Sequence, residues 1–473
     1  MSKKRNKSSH KKSQKALDPI VVPSGNFDVV IVGGGASGLT CAISCAQAAK
    51  APLRIAVLEA GKRVGASIMR SGNGRCNFSN AELEVSRYYH RAFVEHAFSA
   101  LNHNPQIPSV LEWFEQLGLV WQEIPGTGGL LYPFSNKANS VLDVLKCALE
   151  EQKVELYTYS SVQFVNTAYN RVDSANLSYS YELPSPKGSV SSSLANEGNS
   201  SLQEKGFCVI GETRISSEEV VPFKICTNQV VIASGGATPS SILKDFNLLY
   251  VDPVALLGPL KATLATCNTS CTLSELDGIR MQVRLSVPAR SFEEEGEVLF
   301  REYGISGIVV FNASRYVHQN DEVILDLAPS YSFENLKALF EQRRIALHNR
   351  ETKYFLTGFV VDPLAQVLLQ CAGLWEKEHL TTQDVSALAK LCKAFPLIVH
   401  GIADERACQV KRGGIQLSEI NPATMQAKAN PDVFILGEAL DVDGPCGGYN
   451  LHWAWTTGLL SGDAIALNYS QPE

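Results

Sequence analysis

A chain of 473 residues is too long for one compact core and implies about two to four domains. Its 45% hydrophobic and 19% charged residues are those of an ordinary globular protein, and a net charge of −6 calls for neither a nucleic-acid nor an anionic-membrane partner. No apolar run reaches the roughly 18 residues of a membrane span, and none of the twelve cysteines has a C-x-x-C partner, so neither a zinc knuckle nor a redox dithiol is expected and no metal site is assigned. Free thiols in apolar patterns, such as Cys41 and Cys45, suit a reducing compartment, and a cytoplasmic location is expected.

Residues 1–24 read as a disordered basic tail carrying Lys3, Lys4, Arg5, Lys7, Lys11, Lys12 and Lys15, with no apolar stretch of a secretory signal after them. Ordered structure begins near Phe27. Asp28–Val32 reads as a buried strand, Ser37–Lys50 as a helix with Leu39, Ile43 and Ala46 on one face, and Arg54–Leu58 as a second strand. Together they form a βαβ unit. Residues 174–205 are Ser-rich and aperiodic, which predicts an insertion on a hairpin or loop. Gln229–Ala233 is another short strand. Residues 246–330 read as β-rich, with alternation at Val283–Val287 and Val323–Leu327, and 331–404 as helical, with Leu364, Val367, Leu368 and Cys371 on one stripe. Glu293–Glu295 reads as a solvated turn. Residues 405–473 return to glycine-rich turns, a strand at Val433–Leu436 and a final helix from about Trp453. The core fold, 25–245 and then 405–473, is thus interrupted and resumed.

Three constellations carry the chemistry. Gly33, Gly35 and Gly38 match G-x-G-x-x-G between a strand and a helix. The first allows the tight turn, the second admits a pyrophosphate to the backbone at the helix N-terminus, and the third lets helix and strand pack closely. Glu59 follows Gly38 by twenty-one residues, where an acid accepts hydrogen bonds from a ribose. Ser71-Gly-Asn-Gly-Arg-Cys-Asn77 can wrap a polar ligand with backbone amides and Arg75. Gly437 to Asn450 brings a strand end, a glycine-rich turn and a second helix N-terminus, with Asp443 placed to reach a ribityl hydroxyl.

The head of the chain, the runs Gly65–Asn80, Gly126–Leu145, Val230–Ser241, Gly296–Gly307 and Gly437–Gly458, in that order, resemble the BaiN/YhiN-like flavoproteins of the two-dinucleotide-binding-domain superfamily. The resemblance covers about residues 27–468 and implies an α/β architecture: a Rossmann-like FAD-binding domain interrupted by an inserted β-barrel-like domain and a helical domain. It implies that Gly33, Gly35, Ala36, Ser37 and Gly38 hold the pyrophosphate, and Glu59 and Ala60 the adenosine ribose. Ser71, Gly72, Arg75, Cys76 and Asn77 would line the middle and the flavin end, and Val162 would meet adenine through its backbone. Gly235 would approach from the crossover, and Gly437, Glu438, Asp443, Gly448, Tyr449 and Asn450 would close over ribityl and ring. Asn73 stands where the family has a further glycine, Cys446 where it has a threonine, and the segment after Gly236 is short.

The function expected is an FAD-dependent oxidoreductase moving hydride between flavin and a small or steroid-like substrate, with NAD(P)H a transient donor. A non-catalytic FAD-binding protein and a flavoprotein acting on RNA are the alternatives. His452 is the candidate acid or base, and no independent nucleotide-binding domain for NAD(P)H is evident, because the chain has one good G-x-G-x-x-G.

Overall fold

The computed structural model describes residues 20–167, 206–238, 242, 246–265 and 271–470. The basic tail, up to residue 19, and the Ser-rich insertion lie outside these. The strands that flank the insertion, Ser160–Asn166 and Phe207–Arg214, pair antiparallel as the two arms of a hairpin.

The βαβ unit forms as its pattern predicts. β1 (Asn26–Val32) is followed by α1 (Ala36–Ala48) and β2 (Ile55–Leu58), and β2 is buried at all four positions, as a strand covered on both faces must be. β1 lies between β2 and the long strand Val220–Ile232, parallel to both, and Val220–Ile232 is in turn flanked by Asn430–Ile435, again parallel. The sheet is thus completed by a strand from the far end of the chain. Four parallel strands end together, at Val32, Leu58, Ile232 and Ile435. The carboxyl edge of such a sheet, where successive connections leave to opposite sides, is where ligands settle in this class of fold.

The final helix, Tyr449–Asn468, packs on α1. The two approach closely because Gly458 and Gly462 face α1: a Cβ at Gly458 would lie 2.6 Å from Thr40 Cβ, and one at Gly462 2.6 Å from Ser44 Cβ. The helix begins at Tyr449, four residues before the expected Trp453, directly on the glycine-rich turn.

Between these halves the chain leaves through Tyr250–Leu256 and returns through Val410–Ile415, which pair antiparallel. The inserted part is a closed six-stranded barrel in the order Leu260–Leu264, Gly304–Ser306, Phe292–Arg301, Arg280–Val287, Glu322–Asp326, Phe395–Ile402. Closure removes free sheet edges. Its core is continuous with three helices, Phe333–Ala346, Asp362–Cys371 and Thr382–Lys393, on whose faces Leu364, Val367 and Leu368 are buried. Two findings differ from the pattern reading. The last part of the helical stretch, Phe395–Ile402, is the strand that closes the barrel. Glu293–Glu295 is not a turn but part of barrel strand Phe292–Arg301, where Glu295 pairs with Arg284 across the ladder and Glu294 points the opposite way. No helix of the described residues is long and apolar enough to cross a membrane.

Candidate functional site

Each motif lies at the carboxyl edge of the parallel strands, and close approaches between glycines and neighbouring backbone join them. Gly33 has φ +111° and turns against Ala233, whose carbonyl would be 2.4 Å from a Cβ there. At Gly38 a Cβ would strike the Gly33 carbonyl at 2.1 Å. Gly437 stacks on Ser37, and Gly236 on Glu438 and Lys411. Gly34 accepts a hydrogen bond from the Gly65 N–H at 2.7 Å, which ties the segment leading into the second loop to the first. The second loop reaches the third motif through Ser79, whose carbonyl abuts Gly448 and whose hydroxyl lies 2.8 Å from His452 Nδ1. The G-x-G-x-x-G turn, the 71–77 loop, the Gly235 crossover and the 437–450 turn are therefore brought together at this edge, which makes it the candidate site.

Gly35 behaves differently from its neighbours. It caps α1 with φ −84°, an ordinary value for any residue, and a Cβ would meet only Ser67 Oγ, at 3.9 Å. Nothing in the protein demands glycine there, and the missing side chain leaves room at the N-terminus of α1. No side chain caps that helix, and its first turn, Ala36 and Ser37 included, holds no acid. Free N–H groups and the positive dipole end thus face the opening. Glu59 is aimed there too. One carboxylate oxygen accepts the Gly34 N–H at 3.0 Å and the other the Gly61 N–H at 2.6 Å, and each keeps a lone pair for a further donor. Ala60 beside it is exposed. The hairpin strand starts at this point, since Ser160 N–H donates to the Glu59 carbonyl, and Val162 lies buried two residues on.

In the second loop Gly72 and Asn73 are both left-handed, φ +55°. Asparagine tolerates that region better than most residues, so it can stand where the resemblance leads one to expect glycine. Ser71 Oγ donates to the Ile68 carbonyl, and Arg75 is exposed with its guanidinium 4.9 Å from the Tyr132 ring centre. Asn77 is 8% exposed, and its Oδ1 accepts no hydrogen bond. A buried carbonyl oxygen without a donor is costly unless a ligand supplies one.

Glu438, Cys446 and His452 are each partly accessible, yet burial shifts all three: Glu438 up to about 7, the Cys446 thiol up to about 12, and His452 down to about 4. In each case the cause is loss of solvent around the charged form. The Glu438 carboxylate accepts the Lys411 N–H at 2.5 Å, which offsets part of its rise. Cys76 is fully buried and also pushed up to about 12, so neither it nor Cys446 is a thiolate near neutrality. The final helix is uncapped at Gly448 and has no acid in its first turn.

Several side chains expected to face the ligand hold the turn instead. Asp443 is fully enclosed: Oδ1 accepts Arg315 Nε at 2.6 Å and Oδ2 accepts Arg412 Nε at 2.7 Å, which leaves no surface for a ribityl hydroxyl. Asn450 closes a staple, its Oδ1 accepting the Gly444 N–H and its Nδ2 donating to the Gly444 and Pro445 carbonyls. The Tyr449 hydroxyl accepts the Glu84 N–H and donates to the Glu82 carbonyl. Ser79, Asn80, Asn312, Arg315 and Arg412 went unassigned from sequence. Ser79 and Asn80 lie just after the second motif, at the end of the run Gly65–Asn80, and could have been found there. The others come from separate elements with no local signal.

The family model described as "HI0933-like protein Rossmann domain" matches residues 27–464. The chain belongs to this family. It is 28% identical to a 3-dehydro-bile acid delta(4,6)-reductase of Clostridium scindens, over 92% of this chain and 98% of that protein. It is 26% identical to a ribosomal RNA dihydrouridine synthase of Escherichia coli K12, over 94% and 99%. Among solved structures, a flavocytochrome c3 fumarate reductase aligns at 15% identity and a TM-score of 0.42, over 95% of this chain and 79% of that one. The Rossmann-type fold with inserted barrel and helices, the family, and the flavoprotein oxidoreductase class expected from the sequence all stand.

Proposed function

We propose that this chain binds one FAD along the carboxyl edge of its parallel sheet and uses it to reduce a carbon–carbon double bond conjugated to a carbonyl in a small organic substrate. The observation that carries the reading is Gly35: a glycine that neither backbone angle nor packing requires, at an uncapped helix N-terminus, beside an acid already oriented by two backbone N–H groups. That combination suits a pyrophosphate next to a ribose. The orphaned Asn77 Oδ1 and the partly accessible residues Glu438, Cys446 and His452 fit the flavin end.

The bound flavin would supply hydride chemistry; the chain's own residues bind, orient and hold protons. The N-terminus of α1 neutralises phosphate charge, and Glu59 fixes the ribose. The N–H groups of the turn before Tyr449 favour negative charge on the ring's edge. His452, pushed down to about 4, is neutral at pH 7 and lacks the acidic imidazolium proton, whereas Glu438 at about 7 is protonated part of the time. Glu438 thus takes over from His452 as the proposed proton-holding group.

The substrate class is supported by the names of the relatives. A bile-acid delta(4,6)-reductase and a dihydrouridine synthase both saturate a double bond in conjugation with a carbonyl, on very different molecules. A small substrate is favoured over RNA by the net charge of −6, and NAD(P)H is the proposed donor. The test is anaerobic. Purified protein should be yellow with one FAD per chain, bleach with NADH or NADPH, and regain colour with a steroid 4-en-3-one and not with a ribosomal RNA fragment. A colourless protein refutes the FAD assignment. Recolouring by the RNA alone refutes the substrate class.

A further inference from the structure

The inserted barrel grips the glycine-rich turn of the other half of the molecule at two points. Asn312, 3% exposed, uses its whole amide: Oδ1 accepts the Cys446 N–H at 2.8 Å, and Nδ2 donates to both oxygens of Glu294, at 2.8 and 3.0 Å. Arg315, one helical turn further on, donates Nε to Asp443 Oδ1 at 2.6 Å and a second N–H to the Asp443 carbonyl at 3.2 Å. A third donation, to the Arg87 carbonyl, ties the same guanidinium to the segment before Tyr88. Asn312 and Arg315 belong to the barrel; Asp443 and Cys446 bracket the turn that leads into the final helix.

Neutralising Asp443 alone does not explain Arg315. Arg412 already meets both oxygens of Asp443, Nε to Oδ2 at 2.7 Å and NH2 to Oδ1 at 3.1 Å. A second guanidinium, 3% exposed, adds a desolvation cost that neutralising one carboxylate does not require. Its extra bonds to backbone carbonyls serve geometry. Glu294 is likewise explained as the group that orients the Asn312 amide, so that its oxygen and not its nitrogen faces the Cys446 N–H.

We infer that Asn312 and Arg315 are positioning residues: they set where the turn Asp443–Gly448 presents the N–H groups of Gly447 and Gly448, and thereby couple the inserted barrel to the redox behaviour of the flavin. This rests on the FAD reading above. Neither side chain touches the G-x-G-x-x-G cradle, so FAD retention and flavin reactivity separate.

The experiment uses the full-length, flavin-loaded protein as Asn312→Leu, Arg315→Met and Arg315→Lys. FAD stoichiometry after gel filtration, the visible flavin spectrum, and the reduced-to-oxidised ratio at the parental midpoint against a reference dye are measured. Asn312→Leu should keep FAD and alter the spectrum, with the ratio moved about tenfold or more. Arg315→Lys, which keeps charge and loses the planar fork, should lie between parent and Arg315→Met. If Arg315→Met aggregates, the other two variants decide the matter. A parental spectrum and ratio in Asn312→Leu overturns the inference, as does loss of FAD with a parental ratio after reconstitution. A parent that never holds FAD refutes the underlying reading instead.

Discussion

Gly35→Val separates a glycine kept for a ligand from one kept for the fold. The valine Cβ meets only Ser67 Oγ at 3.9 Å, and φ −84° with ψ −170° is an extended conformation that a β-branched residue adopts readily. The ligand-free variant should therefore be as stable as the parent, or more stable by about 0.4–1 kcal/mol through a less flexible unfolded chain. FAD binding should suffer. The side chain occupies the space in front of the first N–H groups of α1, and removing two charge-assisted hydrogen bonds at about 1.5–3 kcal/mol each costs about 3–6 kcal/mol. That corresponds to a Kd weaker by about two to four orders of magnitude. The control is Gly38→Ala, where a Cβ would lie 2.1 Å from the Gly33 carbonyl and 3.2 Å from Ile31 Cγ2. It should express poorly or unfold early, with or without FAD. The assay is urea unfolding of both flavin-free proteins beside FAD titration by fluorescence quenching. A Gly35→Val protein that binds FAD as tightly as the parent, or that loses FAD only because it has unfolded, would refute the placement of the pyrophosphate.

Three further outcomes follow from the geometry. His452, pushed down to about 4 by burial, protonates in the unfolded chain near 6.5 before it does so in the folded one, so its contribution to stability is present above pH 6.5 and is lost as pH falls toward 4. His452→Gln should lose about 2 kcal/mol less than the parent between pH 7 and 5; equal losses by urea unfolding at the two pH values would show that the ring is not buried in a neutral state. Glu438, raised to about 7, has the opposite sign and destabilises as pH climbs from 4.5 to 7, so comparison of parent and variant is needed to expose the histidine. Asn450→Leu leaves the Gly444 N–H without its acceptor and should cost about 1–3 kcal/mol while loosening the turn; an unchanged unfolding midpoint would count against the staple. Asp443→Asn leaves two guanidiniums facing a neutral amide in an enclosed site and should cost about 3–5 kcal/mol, and a loss under 1 kcal/mol would mean that Arg315 and Arg412 find other partners.

The βαβ unit, its three glycines and Glu59 were legible because every determinant is local: strand period, turn, helix and the next strand lie within some thirty residues. Barrel strands Arg280–Val287 and Glu322–Asp326 showed through alternation for the same reason. The strand Phe395–Ile402 did not, because its neighbours in the barrel are 260–264 and 322–326, and a buried apolar run next to a helix has no period of its own. Glu293–Glu295 read as a solvated turn because three consecutive charges carry no sign of which side chain a ladder will turn inward.

The same division runs through the site. Which segments meet at the candidate site was set by short-range chemistry, glycine where backbone must come close and an acid at a strand end, and these are visible in one dimension. What each side chain does there depends on partners 128 residues away in Arg315 and 31 away in Arg412, and those turned Asp443 from a candidate ligand contact into an enclosed anchor. Asn450 was captured by carbonyls five and six residues before it, once the turn had folded back. The titration of His452 and Glu438 was likewise decided by tertiary structure alone, because a pKa is shifted by the solvent that packing removes, and no residue type carries that information by itself.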